Sequence, residues 1–207
     1  GSFDQEEAGE IARKILRGGS HALRLVRDVL DLARLEEGRL QTWPRRVVIT
    51  DLVEAAMDAI APEAERRKVD LSFQRPADRL ELVADPDRVL QITLNLLSNA
   101  VKFSPSGGEV ALGADTGNGE AAPDMKPEGG WVSIWVEDQG PGIAPEDLER
   151  AWGEFQQVNP EDGDGGSGIG LALSRQMAEH MGGALTVESD VGKGSRFTLW
   201  MPAGLER

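Results

Sequence analysis

The sequence contains no cysteine and no long apolar run. Without cysteine the chain has no disulfide, no thiolate metal site and no cysteine nucleophile, which is typical of a reducing, cytoplasmic environment. No apolar stretch approaches the roughly 20 residues that a membrane-spanning helix needs. We therefore predict a cytoplasmic segment without membrane contact, whether or not the full-length protein is anchored elsewhere.

Basic residues are also scarce, since 22 Lys and Arg stand against 36 Asp and Glu and the net charge is -14. Nucleic-acid binding requires clustered Lys and Arg to neutralise phosphates, so this balance opposes a nucleic-acid partner. The length of 207 residues and the hydrophobic content of 40% are sufficient for one or two domains with a real core.

The most informative segment is a predicted helix over residues 86–103, with Asp85 as its N-cap. Asn95, Asn99 and Lys102 share one face of this helix. An amide carbonyl suits Mg²⁺ and an ammonium one turn later suits phosphate, although, for this helix taken alone, ordinary helix-surface or helix–helix contacts are the favoured explanation of the two Asn residues. The opposite face is apolar and is predicted to be buried through Val89, Ile92, Leu96, Leu97 and Val101.

Two glycine-containing segments follow this helix. A strand-like run, residues 131–136, leads to Asp138-Gln139-Gly140-Pro141-Gly142, which places a carboxylate beside flexible backbone that a flat ligand can approach. Residues 163–173, GDGGSGIGLAL, run from a glycine cluster into a helix, whose N-terminal amides suit an anion. Taken singly, a tight turn and a flexible linker explain these segments equally well.

In this order the segments resemble the ATP-binding domain of sensor histidine kinases, whose superfamily includes type II topoisomerases, mismatch-repair ATPases and one heat-shock chaperone family. The resemblance covers nearly the whole chain from Leu16 to Pro202 and implies an α+β fold, a two-layer α/β sandwich. It rests on an N box (95–103, NLLSNAVKF), a G1 box (138–142, DQGPG), an F box (155–157, FQQ), a G2 box (166–171, GSGIGL) and a last hairpin (192–197, GKGSRF).

The resemblance implies that ATP and Mg²⁺ are the cofactors. It makes Asn99 the Mg²⁺ ligand, Asn95 a second polar contact near the phosphates, and Lys102 a phosphate contact. Asp138 would accept the exocyclic amine of adenine, which distinguishes adenine from guanine because guanine has a carbonyl there. The other nucleotide-binding positions that it implies are Gly140, Gly142, Phe155, Gly166, Gly168, Gly170 and Leu171.

Position 95 separates the enzymatic classes within the superfamily. Hydrolytic members typically have Glu four residues before the Mg²⁺-binding Asn, where it acts as the general base on water. An amide cannot remove a proton from water at neutral pH, so Asn95 favours a kinase over an ATPase. A hydrolytic ATPase and a non-catalytic nucleotide-binding scaffold remain the alternatives.

The first 38 residues predict a long helix that ends at Gly38, preceded by Gly1-Ser2, which we interpret as the remnant of an expression tag. Its apolar positions form a seam too wide for a two-stranded coiled coil, which favours a four-helix bundle. The resemblance to sensor kinases implies that this bundle forms a homodimer. Residues 30–38 resemble the end of the second helix of the kinase dimerisation bundle. The predicted domains are residues 3–40 (bundle helix), 41–46 (hinge) and 47–207 (catalytic ATP-binding domain).

No phosphoacceptor histidine is expected in this chain. His21 resembles the family's acceptor box superficially, but Ala22 replaces the acidic residue, no Pro follows Leu25, and no second bundle helix precedes the ATP domain. We interpret His21 and His180 as structural. The resemblance implies that the chain phosphorylates a His on an absent upstream helix, for relay to an Asp of a response-regulator receiver domain.

The remaining elements were assigned from local pattern. Thr50 is predicted to cap a helix that runs to Arg67, with Pro62 kinking or breaking it. Residues 113–130 are predicted to form an exposed connection. Strands are predicted at 69–74, 80–84, 109–113, 131–137, 185–189 and 195–201, and further helices at 145–150 and 168–181.

Overall fold

The computed structural model describes residues 5–117, 123, 127, 130–153 and 168–203. The chain divides into two compact units, Gly1–Leu40 and Gln41–Arg207. None of the helices in these described ranges has the length and apolar character needed to cross a bilayer.

The first unit is the helix α1, Gln5–Glu36. Gly38 ends it with φ +64°, a left-handed conformation that glycine adopts without steric cost, as the sequence predicted. The Arg39 N–H donates to the Arg34 carbonyl at 2.7 Å and satisfies one of the free carbonyls at the helix end. Large apolar side chains are exposed along α1: Ile11, Ile15, Leu23, Val26, Val29 and Leu30.

The second unit is an α/β sandwich, which confirms the predicted fold class. Its strands are β1 (Arg45–Val48), β2 (Asp70–Gln74), β3 (Glu81–Ala84), β4 (Glu109–Gly117), β5 (Trp131–Asp138), β6 (Ala184–Asp190) and β7 (Gly194–Pro202). Its helices are α2 (Ile49–Arg67), α3 (Pro86–Phe103), α4 (Leu148–Ala151, after a 3₁₀ turn at Pro145–Asp147) and α5 (Gly170–His180).

A five-stranded mixed sheet has the order β2-β4-β5-β7-β6, with β2 and β4 parallel and the other neighbours antiparallel. A second sheet contains only β1 and β3. Helices α2, α3 and α5 form the other layer, with α3 packed between α2 and α5 and against β5.

The core lies where α3 meets this sheet. All five apolar residues predicted for the buried face of α3 are at most 1% exposed. The predicted N-cap is also confirmed, because the Asp85 carboxylate accepts the backbone N–H groups of Asp87 and Arg88. Asp85 also accepts the Trp43 N–H at 2.9 Å, which ties the segment before β1 to the start of α3.

Several predictions about local elements were wrong. Thr50 does not cap α2, because the helix begins at Ile49 directly after β1 and has no side-chain cap. The Ile49 N–H donates instead to the Leu80 carbonyl at 3.1 Å. Pro62 does not break α2, because Pro62 and Asp58 are exposed and water can satisfy the Asp58 carbonyl that loses its helical partner.

The boundaries of two predicted loops also differ. Residues 45 and 46 of the predicted hinge belong to β1, where they pair with Ala84 and Val83 of β3. The predicted connection at 113–130 begins later, because β4 continues through Gly117, which pairs with Trp131. Helix α5 begins at Gly170, two residues after the predicted start.

Candidate functional site

Asp138 is the last residue of β5 and is buried on the helix-facing side of the sheet, with 7% of its surface exposed. The Gly140 N–H donates to Asp138 Oδ1 at 2.7 Å, and the Ser195 backbone N–H also donates to this carboxyl. Burial raises the pKa of Asp138 above its usual value of 3.8, and the two backbone donors oppose that rise by stabilising the charged form. A buried acceptor at a strand end suits an amine donor on a ligand.

The loop after Asp138 lies in backbone contact with the β6–β7 hairpin. Gly142 has φ +70°, and a Cβ there would lie 2.0 Å from the Asp190 carbonyl oxygen. Gly194 has φ +114°, and its Cβ would lie 1.9 Å from the Asp138 carbonyl oxygen. The Gly192 N–H donates to the Pro141 carbonyl at 2.7 Å. Gly142 and Gly194 must therefore be glycine, because their positive φ disfavours other residues and a side chain would collide with the opposite backbone.

Gly140 brings the G1 segment to the end of the N-box helix. A Cβ at this position would lie 2.7 Å from Asp138 Oδ1 and 2.9 Å from the Phe103 carbonyl oxygen. Phe103 is 39% exposed, and the Lys102 ammonium lies 4.8 Å from its ring centroid. The end of α3 that meets this loop through the Phe103 carbonyl therefore carries an exposed aromatic ring and an ammonium group.

Asn95 joins α3 to the start of α5. Its Nδ2 donates to Ser174 Oγ at 3.0 Å, and Ser174 is only 3% exposed. A Cβ on Gly170 would lie 2.4 Å from Asn95 Oδ1, so the N box and the G2 box touch at this point. Asn99 is half-buried one turn farther along α3.

These contacts bring together most of the residues predicted from sequence. Gly140 meets both the Asp138 carboxyl and the end of α3, Gly142 meets the β6–β7 hairpin, and Gly170 meets Asn95, while Leu171 is half-buried in the first turn of α5. Gly168 has φ +67°, the left-handed conformation that favours glycine. Phe155 and Gly166 lie outside the described residues.

Sequence reasoning missed three residues here: Phe103, whose backbone carbonyl lies against the G1 loop, Ser174 as the partner of Asn95, and Ser189. Ser174 lies four residues after Gly170 on one helix, so the i, i+4 spacing could have placed both on one face. The position of Ser189 depends on the β6–β7 register, in which it pairs with Ser195, and local sequence does not reveal it.

The residues fit the two cofactors that the sequence implied. No group of three or more His, Asp and Glu side chains able to hold a metal occurs in the described ranges. Mg²⁺ commonly takes one or two protein ligands and completes its shell with phosphate oxygens and water, so a single amide such as Asn99 is sufficient. The buried Asp138 carboxyl is suitable for a purine that carries an amine.

Comparisons with known proteins agree with this geometry. Residues 84–205 match the family described as histidine kinase-, DNA gyrase B- and HSP90-like ATPases. Histidine protein kinase DivJ of Caulobacter vibrioides is 35% identical over 194 residues, which are 93% of this chain and 31% of that protein. Circadian input-output histidine kinase CikA of Synechococcus elongatus is 33% identical over 201 residues, 95% of this chain and 25% of that protein.

A solved structure is similar over the full length of this chain. The crystal structure of full-length ShkA in complex with AMPPNP matches with a TM-score of 0.79 and 30% sequence identity, covering 100% of this chain and 41% of that one. The chain thus spans about a quarter to a third of the two curated relatives.

Proposed function

The chain belongs to this family of histidine kinase-, DNA gyrase B- and HSP90-like ATPases, and we propose that it is the kinase core of a two-component sensor histidine kinase. It binds Mg·ATP and transfers the γ-phosphoryl group to a His on a separate bundle helix. The receiver domain of a response regulator then takes the group onto an Asp. The observation that carries the proposal is the meeting of Asn95 with Gly170 and of Gly140 with Phe103, which brings the G2 and G1 segments against two points of the N-box helix α3.

Each motif has a separate role in this proposal. Asp138 accepts the adenine amine, and Gly140 and Gly142 let the base lie against backbone. Asn99 holds Mg²⁺ and Lys102 contacts a phosphate. Bound Mg·ATP supplies the phosphoryl group, and the amides and the ammonium orient it against a strongly negative protein field.

Asn95 supports transfer to a protein in preference to hydrolysis. Its Nδ2 is engaged by Ser174, and an amide has no basic group with which to activate water. Slow hydrolysis preserves the phosphoryl group until an acceptor imidazole arrives. The exposed apolar residues of α1 support a further part of the proposal, a homodimer formed through a helical bundle. The proposed location is cytoplasmic.

Calorimetric titration with Mg·ATP tests the nucleotide site. We expect the unaltered chain to bind, and Asn99→Ala or Asp138→Ala to weaken binding by about 10- to 100-fold, because each removes one polar contact to a charged or buried group. Asp147→Ala is the matched control, since it removes a carboxylate that pairs with Arg150 on the surface. Equal losses in Asp138→Ala and Asp147→Ala would contradict the assignment.

A mixing experiment with radiolabelled ATP tests the reaction. We expect no stable label on this chain alone, and an acid-labile phosphate on an added helix fragment that carries an acceptor His. Release of free phosphate without labelled fragment would identify an ATPase instead. Binding without either product would identify a scaffold.

A further inference from the structure

Ser189, near the end of β6, has a side-chain hydroxyl with three polar partners. The Ile143 N–H donates to Ser189 Oγ at 2.8 Å, the Gly194 carbonyl lies at 3.0 Å, and Ser195 Oγ lies at 2.9 Å. A hydroxyl has one proton and two lone pairs. All three contacts are satisfied when Ser189 donates to Gly194 and accepts from Ile143 and Ser195. The hydroxyl then has no capacity left for a ligand.

These partners connect Ser189 with the two segments whose backbone N–H groups donate to the Asp138 carboxylate. Ile143 ends the loop that begins after Asp138, and that loop supplies the Gly140 N–H to the carboxylate. Ser195 supplies the second backbone N–H to the same carboxylate. Ser189 therefore links the loop and the strand that between them orient Asp138.

Other contacts show that the loop and the hairpin meet without side chains between them. Side chains at Gly142 or Gly194 would collide with backbone on the opposite segment. At one end of this contact the Gly192 N–H donates to the Pro141 carbonyl, and at the other end the Ser189 hydroxyl accepts the Ile143 N–H. Ser189 is the side chain that makes a hydrogen bond across this contact in the described part of the chain.

We propose that Ser189 is a positioning residue for purine recognition, because its hydroxyl fixes the loop from Gly140 to Ile143 against the β6–β7 hairpin. This inference rests on the proposed nucleotide site. Without the hydroxyl, the loop can move away from the hairpin while Asp138 stays buried. The carboxylate then loses its fixed direction towards the exocyclic amine, and selectivity for adenine falls.

A purely structural role for Ser189 would be stabilisation of the hairpin. Thr186 offers a matched control on the same strand, because its Oγ1 accepts the Trp200 Nε1–H at 2.9 Å. Thr186 and Ser189 point to opposite faces of the sheet, since side chains alternate along a strand. Thr186→Val therefore removes a comparable hydrogen bond from the hairpin without touching the loop.

The experiment titrates Mg·ATP and Mg·inosine triphosphate into the 207-residue chain, because inosine carries a carbonyl where adenine carries the amine. Variants Ser189→Ala, Ser189→Thr and Thr186→Val are compared, each with a thermal unfolding curve. We expect Ser189→Ala to weaken ATP binding about tenfold, with little change for inosine triphosphate. Ser189→Thr keeps the hydroxyl and should restore selectivity, and Thr186→Val should bind ATP like the unaltered chain.

Two outcomes would overturn the inference alone: an unchanged preference for ATP in Ser189→Ala, or equal loss of ATP binding in Ser189→Ala and Thr186→Val. Failure of the unaltered chain to bind ATP would overturn the proposed function, and this inference with it. Failure of Ser189→Thr to restore the preference, in a variant that unfolds like the unaltered chain, would also contradict a role for the hydroxyl.

Discussion

Gly170→Ala should separate activity from stability, because the three atoms nearest to the added methyl group all belong to Asn95, the side chain proposed to be catalytic. The new Cβ would lie 2.4 Å from Asn95 Oδ1, about 1 Å inside ordinary contact. Asn95 must then move away from Ser174, and the 3.0 Å hydrogen bond between them is lost. Loss of this partly buried hydrogen bond costs about 0.5–1.5 kcal/mol.

The same change also stabilises the helix, since Ala is favoured over Gly by up to about 1 kcal/mol within a helix. Gly170 is the first residue of α5, so part of this gain applies. The two effects nearly cancel, and we expect the free energy of unfolding to change by less than about 1 kcal/mol, or about 2–4 °C in Tm. Displacement of a catalytic group by about 1 Å should lower phosphoryl transfer about 100-fold.

The assay measures label transferred to a separate His-bearing helix fragment, beside thermal unfolding of the same preparations. Ser174→Ala and the double variant Gly170→Ala/Ser174→Ala complete a double-mutant cycle. We expect a coupling energy of about 1 kcal/mol in the free energy of unfolding, because the two single changes remove the same hydrogen bond. Gly18→Ala is the control for stability and ATP binding, since a Cβ there meets nothing within 4 Å. Additive effects in the cycle, or unchanged transfer in Gly170→Ala, would refute this reasoning.

Three further changes test other contacts. Gly113→Ala should lower the free energy of unfolding in urea by about 2–3 kcal/mol, because its Cβ would lie 2.1 Å from the Trp135 ring. The same change should have no such effect in a Trp135→Leu variant. Lys68→Gly should raise the free energy of unfolding by about 0.5–1 kcal/mol, since Lys68 has φ 58°, which is strained for a residue with a side chain. An unchanged free energy in urea unfolding would contradict this prediction. Asp138→Asn should gain stability relative to the unaltered chain as pH rises from 4 to 7. Because the pKa of Asp138 is raised in the folded state, the carboxyl stabilises the fold below pH 3.8 and loses that contribution as the pH rises through its folded pKa. A difference in unfolding free energy between the two proteins that does not change with pH would contradict this prediction.

The parts of the fold that sequence predicted well depend on neighbours within a turn or two. The bounds of α3 follow from an Asp-Pro start, and its buried face follows from apolar spacing. The end of α1 follows from a single glycine at residue 38. Local preference and packing agree at these positions, so the prediction needs no knowledge of the rest of the chain.

The errors lie where distant backbone decides the structure. Strand β1 begins with two arginines, and its pairing with β3 more than 30 residues away makes it a strand. The start of α2 depends on the Leu80 carbonyl, which accepts the Ile49 N–H and replaces the predicted cap. Neither partner is visible in the local pattern, which is why Thr50 looked like the cap.

The two ends of the proposed site are built by different kinds of contact. At the purine end, strand and loop amides hold Asp138, and glycines permit backbone approach, so the acceptor is fixed by the sheet before any ligand arrives. At the proposed phosphate end, the Asn95 side-chain amide of α3 meets α5, which begins at Gly170. Selection of the base should therefore depend on the β6–β7 hairpin and its serines, whereas the rate of the proposed transfer should depend on how Asn95 and Gly170 meet.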